Sequence, residues 1–571
     1  MNKKIVKLFN RVSDALEIKG VQWKPRAYRK AARVIDSLDE DVKDIYEDQG
    51  IKGLSDIPGV GKSIAKHIEE YIKKGEVQQF RKHLKGFSNG QSELLDLEGM
   101  GPKKAKQLKD KLGVIDIDDL KKAIDENKIR KLEGFGKKSE ESFKRSIEIH
   151  EKSRKRTLLG DAYPAAISLV KELKDNSPVG KIEYAGSLRR MKETVGDIDI
   201  LVTSKKPKDV MDYFVSMNSM KRVLAKGNTK SSVILDFGIQ IDLRVVEEDN
   251  FGAALQYFTG SKDHNVALRK EAISQGYKLS EYGLFKKNSG KKIRCRTEKE
   301  LYNKLGFSFI PPELREGRDE LELAKTDKIP KIIELKDIKG DLQMHTKYSD
   351  GQESIKKMAE AAEEKGYEYI AITDHSVSER IANGMDEHEL GKQMKEIDRL
   401  SDNFKITILK SAEVNILDDG SLDYPDNVLK KLDLVVASLH SRKKISKKKL
   451  TEKILNAIKN KHVSVLAHPT GRLIHKREPM EFDLEAVSKE ARNNNVALEI
   501  NSDPRRLDLE VSKIRALKET GVKFSINTDS HISGSLDNMK FGVGQARRAG
   551  LSKADIINTW SLSKLKKWSK H

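Results

Sequence analysis

A single cysteine, Cys295, among 571 residues rules out an intrachain disulfide and any metal site built from several thiolates. Such usage fits a reducing cytoplasm. Long apolar runs are also missing: nothing approaches the roughly 18 consecutive apolar residues of a membrane span, and the apolar stretch within the N-terminal MNKKIVKLFN is too short for a signal peptide. A soluble, cytoplasmic protein with no membrane partner is expected. Acidic residues are outnumbered, 89 against 110 basic, which leaves a net charge of +21 and favours a polyanionic partner such as nucleic acid. At this length burial is not limiting, and about three or four domains of ~150 residues are expected.

From residue 1 to about 150 apolar residues recur at helical spacing, with lysines on the opposite faces. Three segments resemble one another: I-P-G-V-G-K (Ile57 to Lys62), L-E-G-M-G-P (Leu97 to Pro102) and L-E-G-F-G-K (Leu132 to Lys137). Each reads as a tight turn between helices. The glycine pairs Gly59 and Gly61, Gly99 and Gly101, and Gly134 and Gly136 let backbone approach a phosphate, and the following helix offers free N–H groups there. The pattern resembles the helix-hairpin-helix motif, which grips DNA backbones without reading sequence. Alone, one such G-x-G is a helix cap and turn; three in one basic region point to DNA.

Residues 155 to 245 change to β-rich runs that carry carboxylates. In Asp197-Ile198-Asp199 one residue intervenes, so on a strand both carboxylates share a face. Gly186-Ser187 lies upstream and Asp242 on a later strand. Three converging carboxylates suit hard divalent cations, and two such ions clamp the attacking and leaving oxygens of an in-line displacement. A segment from 246 to 317 ends in F-I-P-P-E-L-R-E-G-R, and Lys325 to Lys336 reads as a linker.

Beyond it, strand and helix patterns alternate to the C-terminus, the signature of βα units. Seven strand-like runs end in metal-ligand types: D-L-Q-M-H-T, A-I-T-D-H, K-S-A-E-V, V-V-A-S-L-H, V-L-A-H-P, L-E-I-N-S and I-N-T-D-S-H. A barrel brings all strand C-termini to one face, so ligands scattered along the chain would converge in one pocket. Imidazole and oxygen donors without sulfur suit Mn²⁺, Zn²⁺ or Fe²⁺. His388, His462 and His475 fall in helical or loop segments and read as surface residues.

The motifs G-S-L-R-R, G-D-I-D-I, I-D-L-R and Y-F-T-G-S, in this order, resemble those of the family X DNA polymerases. The resemblance implies two ions, Mg²⁺ or Mn²⁺, at Asp197, Asp199 and Asp242. It implies a triphosphate held by Gly186, Ser187, Arg190 and Gly196, and a sugar-facing turn at Tyr257, Phe258 and Gly260. Asn265 and Arg269 match positions that contact the incoming base or the template minor groove. Through R-A-Y-R-K-A-A (Arg26 to Ala32) the N-terminus resembles the family's 5′-phosphate-binding module, with Lys24, Tyr28 and Lys62 as contacts. His67 stands where the family has its Schiff-base lysine, and an imidazole cannot form that imine. Gln240 replaces an arginine beside Asp242, and Lys262 an acidic residue near the nucleotide.

The C-terminal half resembles the PHP (polymerase and histidinol phosphatase) domain, a distorted βα barrel with up to three metals. The resemblance implies Gln343, His345, Asp350, His375, Glu413, His440, His468, Asp529 and His531 as ligands, with Gln343 in place of the usual first histidine.

The expected architecture is multidomain. Helical helix-hairpin-helix domains span 1–85 and 86–153. An α+β nucleotidyltransferase palm spans 154–245 and a thumb-like domain 246–320. A linker, 321–337, leads to the β/α barrel, 338–571. The expected activity is gap-filling DNA synthesis by a monomer on gapped or primed DNA with dNTPs, the barrel acting as a 3′-5′ exonuclease and also at abasic sites. The alternatives are a barrel that hydrolyses pyrophosphate or small phosphoesters, and a non-catalytic scaffold that binds DNA ends.

Overall fold

The computed structural model describes all residues except 20, 22, 23, 37, 39, 40, 85, 86, 88, 96, 98, 155, 441–444, 570 and 571. The expected boundary at 85/86 lies outside the described residues. Among the described residues no helix is long and apolar enough to cross a membrane.

Five apolar stripes in the first 84 residues, on helices Asn2–Ile18, Lys24–Asp36, Val42–Asp56, Lys62–Lys74 and Gln78–Leu84, close over a core of Ile5, Phe9, Leu16, Ile35, Leu54, Ile68 and Phe80. A second helical core gathers Leu97, Leu108, Leu120, Ile129 and Phe143. The three glycine turns share one geometry. Gly59, Gly99 and Gly134 have φ of +80°, +81° and +81°. Val60, Met100 and Phe135 donate their N–H to the carbonyls of Ile57, Leu97 and Leu132 at 2.9, 3.0 and 3.0 Å.

The next unit is a five-stranded sheet in the order Ile182–Tyr184, Asp197–Val202, Gln240–Val245, Lys230–Leu235, Met220–Lys226. Helices Leu159–Asn176 and Pro207–Ser216 contribute Leu169, Leu173 and Phe214 to a core with Ile198, Ile200, Ile241 and Leu243. Two residues from the distant C-terminal half, Leu507 and Phe541, complete this core. Helices Phe251–Thr259, Lys262–Ser274 and Glu298–Lys304 and a three-stranded antiparallel sheet form the following unit, around Leu268, Leu284, Leu301 and Tyr302. Cys295 is fully buried there, and burial pushes its thiol up to about 11.

Residues 321–337 are not a free tether. Leu321 and Ala324 join the core of the preceding unit, and Ile333 is fully buried in the core of the barrel that follows. Apolar positions hidden among charges are hard to read as packed when the sequence around them is polar.

The C-terminal half contains seven parallel strands in sequential order: Gly340–Met344, Tyr369–Ile372, Thr407–Asn415, Leu434–Ser438, Val463–Leu466, Ala497–Asn501 and Phe524–Asn527. Met344 pairs with Ser530 beyond the last strand, and the N–H of His345 donates to Ser530 O at 2.7 Å. First and last strands therefore meet, and the sheet is nearly closed into a barrel. Helices such as Ile355–Glu364, Lys447–Ile458 and Leu484–Asn493 cover its outside. Of the three histidines expected at the surface, His388 is exposed but His462 and His475 are half-buried.

Candidate active sites

Strands Asp197–Val202 and Gln240–Val245 pair in parallel with Asp199 directly opposite Asp242. The two carboxylates thus lie side by side on one face, and Asp197 joins them two residues along. Asp197 is exposed, Asp199 half-buried and Asp242 buried. Burial and the neighbouring charges of Asp197 and Asp242 push the Asp199 carboxyl up to about 7. Burial acts on Asp242 in the same sense, yet hydrogen bonds from Gln240, Ser232 and Lys230 outweigh it and hold that carboxyl below its ordinary value. Gln240 Nε2 donates at 2.8 Å, and Lys230 Nζ lies 3.2 Å from the other oxygen. The arginine that sequence comparison expects here is thus replaced by a glutamine and a lysine acting together. Lys230, one residue in a basic hairpin, carried no signal in the sequence.

Gly186 opens a one-turn helix, Gly186–Arg189, with φ of +66°. A Cβ there would come within 2.7 Å of Asp199 Oδ2, so the glycine lets the turn lie against the carboxylates. Ser187 is half-buried beside them. Arg190 Nη1 donates to the Thr259 carbonyl, which ties this turn to Tyr257-Phe258-Thr259-Gly260. Arg189 pairs with the buried Glu298 at 2.7 Å, and Glu298 is also paired with the fully buried Arg315. Asn265 Nδ2 donates to Tyr257 O at 2.7 Å and so lines this turn, whereas Arg269 Nε donates to the Asn265 carbonyl one turn back in its own helix at 3.2 Å. Gly196 is exposed at the start of the strand, near Arg156.

In the first helical unit Lys24 and Lys62 are exposed, whereas Tyr28 is buried. The Tyr28 hydroxyl meets His67 Nδ1 at 3.3 Å, and His67 Nε2 meets Gln79 Oε1 at 3.0 Å. Tyr28 packs between Phe9 and Phe80, with its hydroxyl against His67.

At the C-terminal rim of the barrel the histidines and acids from six of the seven strand ends converge. His345 Nε2 lies 3.1 Å from Asp529 and 3.3 Å from Glu413; His375 lies 3.5 Å from Glu413 and 3.6 Å from Asp350. His440 and His468 approach Glu413 at 3.1 and 3.0 Å, and His531 approaches Asp350 at 3.3 Å. The donor atoms fall into three overlapping groups close enough to hold an ion: His345, Asp350, His375 and His531; His375, Glu413 and His440; His345, Glu413 and Asp529. His468 touches the shared Glu413 without joining a group.

Burial opposes the charge on Glu413, but the imidazoles of His375, His440 and His345 hold its carboxyl well below the usual range. Burial likewise opposes protonation of His345, while Asp529 and Glu413 raise it well above an ordinary histidine. His375, buried and facing other imidazoles, is pushed down to about 3. Gln343 is fully buried, and both its Oε1 and its Nε2 lack a hydrogen-bond partner, as do His345 Nδ1 and His375 Nδ1. Orphaned buried donors and acceptors are costly, and those of His345 and His375, which belong to the ligand groups, fit a site built for cations.

Sequence reasoning missed the residues that hold these ligands. Asp374 is fully buried and accepts from Thr346 N at 2.7 Å, Ser349 Oγ at 2.6 Å and Gln393 Nε2 at 2.6 Å, which fixes the loop carrying Asp350. Asn415 Oδ1 meets His440 Nδ1 at 2.5 Å, and Asn501 Nδ2 donates to Asp529 at 3.1 Å. Arg506 Nε stands 3.8 Å from Asp529 at the rim. Asn501 and Asp374 had a signal, as polar residues at the ends of L-E-I-N-S and A-I-T-D-H.

The chain matches the helix-hairpin-helix domain over residues 1–77, a SAM-like helix-hairpin-helix tandem over 92–147, the DNA polymerase beta thumb over 254–316 and the PHP domain over 341–503. It is 40% identical to the "DNA polymerase/3'-5' exonuclease PolX" of Bacillus subtilis over 98% of either chain. This chain belongs to the family X DNA polymerases that carry a PHP domain. The two halves of the polymerase have separate relatives as well. It is 27% identical to DNA polymerase lambda of Arabidopsis thaliana over 55% of this chain and 62% of that one. A probable phosphatase of Thermoanaerobacter sp. is 30% identical over 38% of this chain and 88% of its own length. Polymerase and PHP domains of this family depend on metals, and the ligand groups at the barrel rim agree with that dependence.

Proposed function

We propose that the enzyme fills short gaps in DNA and that its barrel removes nucleotides from 3′ ends. The observation that carries this reading is the register of Asp199 opposite Asp242, with the Gly186 turn pressed against them and tied through Arg190 to the Tyr257–Gly260 turn. Ser187 and Arg190 hold the triphosphate. Tyr257, Phe258 and Gly260 face the sugar and leave no room for a 2′-hydroxyl, and Asn265 and Arg269 reach the base pair's minor-groove edge. Lys230 and Gln240 keep Asp242 oriented toward the primer 3′-hydroxyl.

Asp197, Asp199 and Asp242 would hold two ions, Mg²⁺ or Mn²⁺; Gln343, His345, Asp350, His375, Glu413, His440, His468, Asp529 and His531 would hold up to three, as Mn²⁺, Zn²⁺ or Fe²⁺. When bound, such ions neutralise phosphate charge and activate an oxygen nucleophile for in-line displacement at phosphorus. In the barrel Asn415 and Asn501 fix His440 and Asp529, and Arg506 is placed to meet a phosphate oxygen.

The gap preference rests on the helical domains. A Cβ at Gly61, Gly101 or Gly136 would meet nothing within 4 Å, so at these positions nothing inside the protein excludes a side chain. An external backbone that must come close would exclude it. Lys24 and Lys62 supply charge to a 5′-phosphate beside the first of these turns.

A second reading, with the barrel acting on small phosphoesters, draws on the likeness to probable phosphatases; the 40% identity along the whole chain to a polymerase and exonuclease favours DNA. One assay separates the readings. On a gapped duplex with a labelled primer and Mg²⁺ or Mn²⁺, dNTPs should lengthen the primer, and their omission should give stepwise shortening. No lengthening would refute the polymerase reading, and release of phosphate from a small ester with no shortening would favour the second.

A further inference from the structure

The turn that carries Arg190 is held from outside its own domain. Met191 follows with φ of +52°, and helix Met539–Arg548 of the barrel half packs against it. A Cβ on Gly544 would come within 2.7 Å of the Met191 side chain, and Gln545 Nε2 donates to Met191 O at 2.9 Å. Arg548 Nη1 donates to Gln545 Oε1 at 3.2 Å, and its Nη2 to Glu316 Oε1 at 3.4 Å. The same carboxylate accepts from Lys192 Nζ at 3.0 Å and faces Arg190 Nε at 3.6 Å. Next along the helix, Arg547 Nε donates to Glu313 Oε1 at 2.6 Å, which pins the F-I-P-P-E-L-R-E segment to the barrel. Arg548 is 5% exposed and the Glu316 side chain 14%.

One carboxylate thus serves three cations: Lys192 and Arg548 hydrogen-bond it, while Arg190 Nε lies within ion-pair distance but has no hydrogen-bond partner. Arg548 and Lys192 hold Glu316 where Arg190 Nε is near it but not bonded. Without Arg548 the carboxylate is free to close on Arg190, taking up its guanidinium and part of its charge. We propose that Arg548 of the barrel domain is a positioning residue for nucleotide addition: it fixes Glu316, and through it the guanidinium of Arg190, so the nuclease half sets the geometry of the triphosphate site. The inference rests on the reading of Arg190 as a triphosphate contact.

The test is single-nucleotide gap filling by the full chain, with KM for dNTP and kcat measured separately. A contact made equally before and during reaction appears in KM, and weakening one charged hydrogen bond is worth on the order of tenfold. Arg548→Ala and Glu316→Gln should each raise KM by about tenfold with kcat changed less than about twofold, and Arg548→Lys should recover much of the loss. In an Arg190→Ala background, Arg548→Ala should add little, because the two act through one contact. If Arg190→Ala leaves KM unchanged, the triphosphate reading of Arg190 fails. If it raises KM while Arg548→Ala and Glu316→Gln do not, or if the effects of Arg548→Ala and Arg190→Ala simply multiply, the positioning role is overturned. Glu316→Gln keeps the shape of the interface, so the test does not depend on how the alanine variant folds.

Discussion

Asp199 and Gln343 show how single residues are set by what surrounds them. Asp199 sits between two other carboxylates, and its carboxyl is pushed up to about 7, against about 3.9 in an unfolded chain. A carboxyl raised on folding favours the folded state while protonated, so its contribution is complete below about pH 4 and lost as pH climbs through about 7. Metal-free protein in EDTA should therefore melt at progressively lower temperature from about pH 4 to about pH 8, and Asp199→Asn should flatten that slope. Equal slopes in both proteins would show that Asp199 is not the group responsible. For Gln343 the orphaned amide predicts a weak ligand, because a neutral oxygen donates less strongly than imidazole to a first-row metal. After identical dialysis, Gln343→His should retain more metal than the natural sequence, with DNA synthesis unchanged. Elemental analysis showing the same ion content in both would rule out a limiting role.

At the scale of elements, the hairpins and the barrel explain why short motifs carry so much. Three turns with the same φ and the same N–H to carbonyl bond present backbone N–H groups at the start of basic helices. Contacts of that kind read phosphate, not base. Binding to gapped duplex should weaken steeply with salt, on the order of one decade in affinity per threefold rise in salt for a few phosphate contacts. At limiting enzyme, gaps bearing a 5′-phosphate should be filled faster than the same gaps with a 5′-hydroxyl, and equal rates would remove Lys24 and Lys62 from that role. The barrel's seven strand ends were legible because each apolar run stops at a polar residue, and parallel closure sends all of those ends to one rim. The burial of Tyr28 was harder to read. In R-A-Y-R-K-A-A the basic residues dominate, and only helical periodicity turns the tyrosine inward onto Phe9, Phe80 and His67.

At the scale of the molecule, two separate ligand sets share one packed body. Asp199→Ala or Asp242→Ala should lower primer extension by on the order of a thousandfold and spare 3′-terminal hydrolysis, while His440→Ala should do the reverse. Loss of both activities in any one of these folded variants would contradict separate chemistry. Shared packing is another matter. Phe541 and Leu507 are buried in the palm core, and Phe541 packs edge-on against Tyr163 at 5.7 Å. Phe541→Ala should cost about 3–5 kcal/mol of stability, read as an earlier denaturant midpoint, and the palm should be the part that loosens. A midpoint shift confined to the barrel would show that the two cores are independent.

Local pattern alone determined a good deal. Helical spacing with paired glycines, a D-x-D on a strand and seven strands ending in ligand types each follow from periods of 3.6 and 2 that any short window displays. What needed tertiary structure was every contact between residues far apart in sequence whose types are common. Lys230 on Asp242, Ile333 in the barrel core and Arg548 on Glu316 are ordinary residues in ordinary segments. Their roles come from what faces them, and no spacing rule links position 548 to position 190. Chemistry that depends on residue type is written locally, whereas support, orientation and domain docking are decided by burial and by partners that only the folded chain brings together.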